Sequence, residues 1–312
     1  MALEDRMKLA VEFPSVAYRE GQAGVVKLAK AIEAIGYDQL DMFDHVVMGY
    51  PAEGRARSPY PAQMPILEAL TTLAFVAGVT ERIGLGTEVL ILSQRQPILV
   101  AKQVSTIDTL SNGRMRLGVG IGWQAAEYEA LGTRFDRRGA LIDEAIPLLR
   151  SCWRDAEING VGAHYPMRGI AMEPKPPQGG GLPIWVGGGS DAALQRAGRL
   201  GDGWLGTSTI AAERMPAALA TIRAAAEAAG RDPAAIGLQM MLDAPPRNGD
   251  EGAKRFYQDE VRVAARAAEI RAQGFGWATL NITAIFQSGS RSIDAMIDTL
   301  GRLHDRIRME TR

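Results

Sequence analysis

Cysteine and histidine are both scarce in this chain of 312 residues, which has one cysteine and three histidines. A single cysteine excludes an intramolecular disulfide and a metal cluster held by several thiolates of one chain. Cys152 lies in the apolar run LLRSCW, where we expect a small buried side chain. His164 and His304 have no pattern of ligand residues near them, so we expect no metal site.

The sequence also lacks an excess of either charge and a long hydrophobic run. Its 35 Lys and Arg residues nearly balance 36 Asp and Glu residues, and no long basic block is present. Nucleic acid and anionic membrane are therefore disfavoured as partners. The first residues, MALEDRMKLAVEF, include acidic side chains, so we expect neither a secretory signal nor a membrane span, and a cytoplasmic location.

An alternation of β-like and helical segments is what the sequence does contain. The length fits either two ordinary domains or one large α/β barrel, and no composition shift marks a boundary. Eight strands are predicted at 8–13, 39–43, 83–88, 115–119, 184–186, 203–205, 236–242 and 277–282. Eight helices are predicted at 23–35, 64–77, 97–110, 136–153, 192–200, 211–230, 253–273 and 292–308. The prediction is one α/β domain over 1–312, a TIM (β/α)8 barrel without a hairpin between its strands.

Two long segments depart from a minimal barrel and are expected as insertions after the second and fourth strands. Residues 48–64 are rich in proline and glycine, and 155–182 contain EPKPPQGGGLP. Long loops in a compact barrel usually shape or cover the site, although surface excursions are the alternative.

The clearest β/α repeat runs through residues 82–123. A strand is followed by a helix that begins at Pro97 and ends before Ser111-Asn112-Gly113. The next strand leads into Gly120-Ile121-Gly122-Trp123, where glycines could let a flat ligand approach the backbone. This spacing differs from the dinucleotide fingerprint GxGxxG, which makes a Rossmann dehydrogenase the less favoured alternative.

Barrel sites form where strands end, so the polar and glycine residues after each apolar run are the candidates. These residues are Asp44, His45, Glu88, Gln94, Arg95, Gly120, Gly122, Trp123, Glu127, Gly187, Gly188, Gly189, Ser190, Thr207, Ser208, Asp243, Asn281 and Thr283.

Three of these positions carry a specific chemical hypothesis. His45 could exchange a proton near neutral pH, with Asp44 tuning it, although a structural histidine is an equal alternative. Glu88 ends an apolar strand and needs either a wet pocket or an ion pair with an arginine. The turn Gly187-Gly188-Gly189-Ser190 could hold a phosphate at a helix start. Alternatively, Ser190 or Asp191 is only an N-cap, worth about 1 kcal/mol.

Three segments resemble the bacterial luciferase-like flavin and deazaflavin oxidoreductases, and the resemblance extends over nearly the whole chain. They are FDHVV at 43–47, the segment TERIGLGTEVLILSQRQPILVAKQVSTIDTLSNGRMRLGVGIGW at 80–123, and PIWVGGGSDAALQRAGRLGDGW at 183–204. The sequence is most similar to the branch that depends on coenzyme F420, a deazaflavin. The resemblance implies a TIM-type barrel, in agreement with the strand count.

The resemblance also implies roles for individual residues. Asp44 would hydrogen-bond the deazaflavin and His45 would face its reactive ring. Glu88-Val89 matches a bulge that has a cis peptide beneath the ring in many members. The other cofactor-binding residues that it implies are Ile121, Gly122, Gly188, Gly189, Ser190, Ala192 and Ala193.

The chain departs from the family's sugar-phosphate dehydrogenases at two positions. Trp123 stands where they carry a catalytic glutamate, and Ile210 where they carry a phosphate-binding lysine. A sugar phosphate is therefore a poor substrate candidate. Trp123 predicts an apolar wall for the substrate pocket, in which Thr207 is also expected.

The resulting hypothesis is an F420-dependent oxidoreductase that transfers a hydride to or from a small apolar substrate, with His45 moving the proton. One alternative is a two-component monooxygenase that uses reduced FMN and O2, and another is a carrier or sensor that binds the cofactor without turnover. The family further implies a homodimer, with helices 64–77 and 97–110 as candidate contacts, and a separate flavin or F420 reductase is a possible partner.

Overall fold

The computed structural model describes residues 6–55, 58, 61–243 and 255–311. Within these residues strands and helices alternate along most of the chain, and the exceptions include the strand pairs Gly84–Thr87 with Leu90–Ile91 and Ile158–Gly160 with Met167–Ile170. The strands are β1 (Lys8–Glu12), β2 (Gln39–Met42), β3 (Gly84–Thr87), β4 (Leu90–Ile91), β5 (Met115–Gly120), β6 (Ile158–Gly160), β7 (Met167–Ile170), β8 (Ile184–Gly187), β9 (Gly203–Gly206), β10 (Gly237–Met241) and β11 (Trp277–Asn281).

The long helices cover the outside of the sheet. They are α1 (Gly21–Ile35), α2 (Ala69–Ala77), α3 (Pro97–Leu110), α4 (Ala125–Ala130), α5 (Arg138–Arg154), α6 (Asp191–Leu200), α7 (Met215–Ala228), α8 (Glu260–Ala272), α9 (Ile282–Gln287) and α10 (Ile293–Glu310). None of the helices described has the length and apolar composition that crossing a membrane requires.

Eight parallel strands close into a barrel in the order β1, β2, β3, β5, β8, β9, β10 and β11. Lys8 of β1 pairs with Trp277 of β11, and Leu85 of β3 pairs with Met115 of β5, which closes the ring. The predicted TIM barrel is therefore confirmed. The short strand β4 adds to β5 just beyond the ring.

The main core lies between the barrel and its helices. Outward-facing strand residues such as Leu9, Leu40 and Leu117 are fully buried against helix residues such as Leu28 and Val104. This arrangement follows from strands covered on both faces, which the continuous apolar runs predict. Cys152 is buried here as expected, and burial raises the pKa of its thiol to about 11.

The interior of the barrel is polar at mid-height, unlike the branched aliphatic layers common in this fold. Arg116 Nη2 lies 2.6 Å from Asp41 Oδ2, and the guanidinium lies 4.5 Å from the ring of Trp185 and 4.8 Å from that of Trp277. Gln239 Nε2 donates to Thr279 Oγ1 at 2.7 Å. A buried ion pair thus occupies the space below the barrel mouth, and among the described residues Arg116 Nε, Arg116 Nη1 and Gln239 Oε1 beside it have no hydrogen-bond partner.

The observed element boundaries agree with the local sequence signals at some positions and differ at others. Helix α3 has the predicted limits, and the chain then turns through left-handed Asn112 (φ 57°) and Gly113 (φ 80°). The helix predicted from residue 64 begins instead at Ala69, because Glu68 caps it by accepting from Thr71 N at 2.7 Å. The first residues of the helix predicted at 253–273 lie outside the described residues.

The second insertion contains an antiparallel hairpin of β6 and β7, so the prediction that no hairpin interrupts the β/α alternation is wrong. It follows α5, the long helix after the fourth barrel strand. Its end is fixed near the start of β5, where Gln178 Nε2 donates to Asp108 Oδ1 and Met115 O, both at 2.7 Å. The amino ends of the strands lie there, so this anchor is distant from the barrel mouth.

Candidate active site

Asp44 follows β2 at the barrel mouth, and its side chain is fully enclosed. Oδ1 accepts from Arg95 Nη2 at 2.7 Å and Oδ2 from Ile91 N at 3.0 Å. Burial raises the pKa of Asp44, while Arg95 and the Ile91 N–H oppose that rise. The carboxylate therefore joins the end of β2 to the segment around β4, and its hydrogen bond to a cofactor stays a prediction.

His45 is buried beside Asp44 and contacts a carboxylate from α4. Its Nδ1 lies 3.1 Å from Glu127 Oε2, and the Glu127 side chain is fully enclosed. The Trp123 ring packs against the imidazole edge-on, with 5.6 Å between ring centroids. Burial raises the pKa of Glu127, but hydrogen bonds from His45 and the Val46 N–H outweigh it, and the pKa is lowered overall. An ionised glutamate therefore faces the candidate histidine.

The first turn of α4 also fixes the backbone that follows His45. Glu127 Oε1 accepts from Val46 N at 2.5 Å and from Val47 N at 3.4 Å. Gln124 Oε1 accepts from Gly49 N at 2.6 Å, and its Nε2 donates to Val47 O at 3.0 Å. Two side chains one helical turn apart thus hold the start of the first insertion.

Glu88 and Val89 lie half-buried at the end of β3 and are joined by a cis peptide bond, as the resemblance implied. A Cβ on Gly120 or on Gly187 would lie 2.6 Å from a methyl carbon of Val89. These two glycines therefore make room for the valine side chain. Gly122 similarly faces Ile91, at 2.8 Å from its would-be Cβ. These glycines therefore make room for protein side chains, and the approach of a flat ligand to the backbone there stays a prediction.

Glu88 does not form the ion pair with an arginine that the sequence left open, because Arg116 binds Asp41 instead. Glu88 Oε2 accepts from Gln239 Nε2 at 3.0 Å. Burial, followed by the charge of Asp41, raises the pKa of Glu88 to about 8. Glu12, at the end of β1, also has a raised pKa because of burial and then the nearby Glu88. The barrel mouth thus holds carboxyl groups that keep their protons near neutral pH.

The glycine turn after β8 leads into α6. Gly188 has φ of +116°, and its carbonyl accepts from Trp204 Nε1 at 2.9 Å. Ser190 caps α6 by accepting from Ala193 N at 3.3 Å, while its binding of a phosphate stays a prediction. A Cβ on Gly189 would lie 2.7 Å from Ile210. The turn therefore presents a helix start at the barrel mouth, with the predicted Ala192 exposed in the first turn of α6.

A cleft of about 560 Å³ adjoins the histidine on the side of Trp123. Trp123 is 37% exposed, and the lining is mainly apolar and aromatic. The described lining residues are Gly49, Tyr50, Pro51, Gly54, Arg55, Ser58, Pro61, Ala62, Trp123, Gln124, Ala125, Ala126 and Phe135. Part of the first insertion, at 56–57 and 59–60, lies outside the described residues.

Two other predicted positions lie elsewhere around the mouth. Thr207 is half-buried after β9, where its hydroxyl oxygen accepts from Thr209 N at 3.0 Å, and it does not line the cleft beside Trp123. Asp243, after β10, accepts from Tyr257 at 2.8 Å, and burial raises its pKa to about 6. Tyr257 in turn accepts from Asn281 N at 2.8 Å.

Sequence reasoning did not assign roles to Glu127, Gln124 and Gln239. Glu127 was among the polar residues after the fourth barrel strand, and that position was its only signal. Gln239 lies inside a strand predicted as apolar, so its inward direction could be read only from strand alternation.

Comparison with known proteins identifies the family over most of the chain and finds relatives that align with part of it. A family model described as luciferase-like monooxygenase matches residues 9–300. An F420-dependent glucose-6-phosphate dehydrogenase of Mycobacterium avium is 34% identical over 189 residues, which cover 59% of this chain and 53% of that protein. The corresponding enzyme of Amycolatopsis mediterranei is 31% identical over 204 residues, 64% of this chain and 58% of that protein. The chain thus matches a little over half the length of these relatives.

Solved structures with this fold include an F420-dependent enzyme and a monooxygenase. An F420-dependent secondary alcohol dehydrogenase in complex with an F420-acetone adduct superposes with a TM-score of 0.75 at 15% identity, covering 97% of this chain and 99% of that one. A monooxygenase from Streptomyces bottropensis gives 0.73 at 22% identity, covering 94% and 98%. These likenesses show the fold alone. Because the family model matches nearly the whole chain, the protein belongs to the luciferase-like monooxygenase family.

Proposed function

We propose that this protein is an oxidoreductase that transfers a hydride between coenzyme F420 and a small apolar organic substrate, with His45 exchanging the accompanying proton. The observation that carries the proposal is the position of His45, between the buried carboxylate of Glu127 and the Trp123 ring at the cleft. Relatives that are named F420-dependent dehydrogenases, at 31% to 34% identity, support the cofactor.

The barrel mouth fits a flat ring with a phosphate-bearing tail. Glu88 and Val89 are half-buried at the barrel mouth, where the ring could lie against them, and Ile121 and Gly122 beside them are also half-buried. Gly188, Gly189 and Ser190 form the start of α6, where the first N–H groups of a helix have no intrahelical acceptor and attract anions. F420, when bound there, would supply a two-electron hydride carrier. Asp44 would act indirectly, by holding the segment around β4.

His45 is the proton-exchanging group in this proposal. It is the histidine at the carboxyl ends of the strands, because His164 lies on the second insertion and His304 on α10. Imidazole exchanges protons near neutral pH with little cost, which suits the proton that accompanies hydride transfer to or from a hydroxyl or carbonyl group.

The cleft supports an apolar substrate over a sugar phosphate. Arg55, the cation among the described residues that line it, already binds Glu129 at 3.2 Å. Ile210, which stands where the resemblance places a phosphate-binding lysine, packs against Gly189. Burial of apolar substrate against Trp123 and Phe135 would contribute about 25 cal/mol per Å². We therefore expect secondary alcohols, aldehydes, ketones or activated alkenes as substrates.

Two finer features are part of the proposal. We infer a cytoplasmic homodimer, since the family implies one and apolar side chains are exposed on α2 and α3. A separate reductase would supply reduced cofactor if the protein works in the reductive direction.

The test is a parallel titration of the purified protein with F420 and with FMN, following the fluorescence of each ring. We expect F420 to bind at least tenfold more tightly, and turnover with alcohols or activated alkenes but not with glucose 6-phosphate. Tighter FMN binding with O2 consumption would favour the monooxygenase alternative. Tight F420 binding without turnover over a broad substrate panel would favour a carrier or sensor, and binding of neither would overturn the assignment.

A further inference from the structure

One fully enclosed carboxylate, Glu127, binds three consecutive residues at the end of β2. Oε2 lies 3.1 Å from the Nδ1 of His45, while Oε1 accepts from the backbone N–H groups of Val46 and Val47 at 2.5 and 3.4 Å. The contact joins residues 82 positions apart in the chain. The two oxygens thus have different partners, one a titratable ring and the other the backbone.

The protonation of this pair follows from the chemistry of the two groups. The pKa of Glu127 is lowered because hydrogen bonds from His45 and Val46 outweigh its burial, so the group is ionised at neutral pH. An ionised carboxylate is only an acceptor. Nδ1 must therefore carry the proton, and exchange with a substrate then uses Nε2, on the opposite side of the ring.

We propose that Glu127 is a positioning residue for proton transfer by His45: it fixes the tautomer protonated on Nδ1 and stabilises the imidazolium that forms when Nε2 takes a proton. This inference deepens the proposed function and rests on it. The arrangement follows the general logic of a base oriented by a third group.

Holding the loop does not by itself require a charge. Gln124, one helical turn earlier, binds Gly49 N and Val47 O with a neutral amide. A glutamine at 127 could accept from Val46 and Val47 in the same way, without the cost of enclosing an ion. The charge of Glu127 is needed only at the histidine, which favours a role in the chemistry over a purely structural one.

The decisive variant is Glu127→Gln. Its amide oxygen can still accept from the Val46 N–H, which directs the amide NH2 toward Nδ1 of His45. Because an NH2 group only donates, it selects the opposite tautomer, protonated on Nε2. Gln124→Ala is the matched control for the tautomer alone, since it loosens the same loop without touching the imidazole but removes a residue that lines the cleft.

The primary readout is ¹⁵N NMR of protein labelled at its three histidines. A His45→Gln variant identifies the signals that belong to His45. We expect His45 of the wild type and of Gln124→Ala to be protonated on Nδ1, and that of Glu127→Gln on Nε2. With substrate, Glu127→Gln should lower kcat by about 10²-fold or more, with KM changed less than threefold.

The proposal is overturned if wild-type His45 is protonated on Nε2, or if a folded Glu127→Gln protein keeps the wild-type tautomer or the wild-type kcat. The wild-type tautomer needs no variant, so a Glu127→Gln protein that fails to fold leaves the test intact. Measuring the tautomer also requires no substrate turnover. If the tautomers are as expected but no F420-dependent activity is found, the proposed function is rejected, whereas the role of Glu127 in fixing the His45 tautomer still holds.

Discussion

Adjacent residues at the end of β2 have different environments. Asp44 is fixed by Arg95 and the backbone of Ile91, so both its oxygens serve the protein. His45 instead lies between Glu127 and Trp123, next to the cleft. These environments support the proposal that the histidine acts on a substrate and that the aspartate holds the backbone beside it.

Replacing His45 with Ala should lower kcat by about 10²-fold or more, because general acid–base groups contribute at least that much. Cofactor affinity should change less than threefold, since the backbone contacts of Val46 and Val47 remain. Steady-state kinetics with a fluorescence titration of F420 would measure both. His164→Ala, on the second insertion, is the control and should keep full activity. Unchanged turnover in His45→Ala would remove this histidine from the mechanism.

Glu88 should make stability depend on pH. The folded protein holds its proton up to about pH 8, whereas the ordinary pKa is 4.5. Its stabilising contribution is therefore complete at acidic pH and is lost as pH rises through this window. Glu88→Gln, which does not titrate, should gain stability relative to wild type from pH 5 to 8, by at most about 1.4 kcal/mol per pH unit.

Urea denaturation of wild type and Glu88→Gln at several pH values measures this difference. The exposed Glu213→Gln serves as the control and should show a difference that does not vary with pH. A flat difference for Glu88→Gln would mean that Glu88 is ionised in the folded protein.

The ends of β3, β5 and β8 pack together because the side chain of Val89 fits against two glycines, Gly120 and Gly187. Val89 occupies the space that a Cβ on Gly120 or Gly187 would need. Gly187→Ala should destabilise the protein by about 1 to 3 kcal/mol through overcrowding. Adding Val89→Ala should recover much of that loss, because the clashing methyl carbon is removed.

A double-mutant cycle by chemical denaturation measures the coupling between these two positions. Gly301→Ala is the control, because nothing lies within 4 Å of its would-be Cβ and the residue is inside α10. It should stabilise the protein by about 0.5 to 1 kcal/mol. Strictly additive effects at Gly187 and Val89 would contradict the packing account.

The turn between β8 and α6 gives a second prediction for an element. Gly189→Ala places a Cβ against Ile210 at the start of the helix, so it should weaken F420 binding by about tenfold while thermal unfolding shows a folded protein. Gly181→Ala, whose Cβ would meet nothing within 4 Å, is the comparison. Equal affinity of the two variants would argue against a phosphate site at this turn.

For the molecule as a whole, we predict a homodimer that uses α2 and α3. Leu99 and Leu110 on α3 are 58% and 57% exposed, and Phe75 on α2 is 36% exposed. Leu99→Glu should shift the protein to monomers in light scattering coupled to size exclusion, because a charge cannot be buried there without a partner. Val161→Glu, at a fully exposed position on the second insertion, should not. A monomeric wild type would reject the prediction.

The barrel was predictable because its signals are local. Apolar runs and helix-ending residues such as Asn112-Gly113 depend on the conformation of only a few neighbouring residues. Signals of this kind predicted the limits of α3 correctly. The hairpin of β6 and β7 was missed because its strands are short and partly exposed. Their weak apolar pattern resembles that of an ordinary loop.

The order of the eight barrel strands follows from local sequence patterns, as do the residues that come after them, such as His45, Glu88 and Gly188. The short elements β6, β7, α4 and α9 do not. The contacts of these residues depend on how the whole chain folds: His45 meets Glu127, Glu88 meets Gln239, and Val89 meets Gly120 and Gly187. The reason is physical. Local periodicity fixes the direction of a side chain, but closing β3 onto β5 and β1 onto β11 brings together groups far apart in the chain.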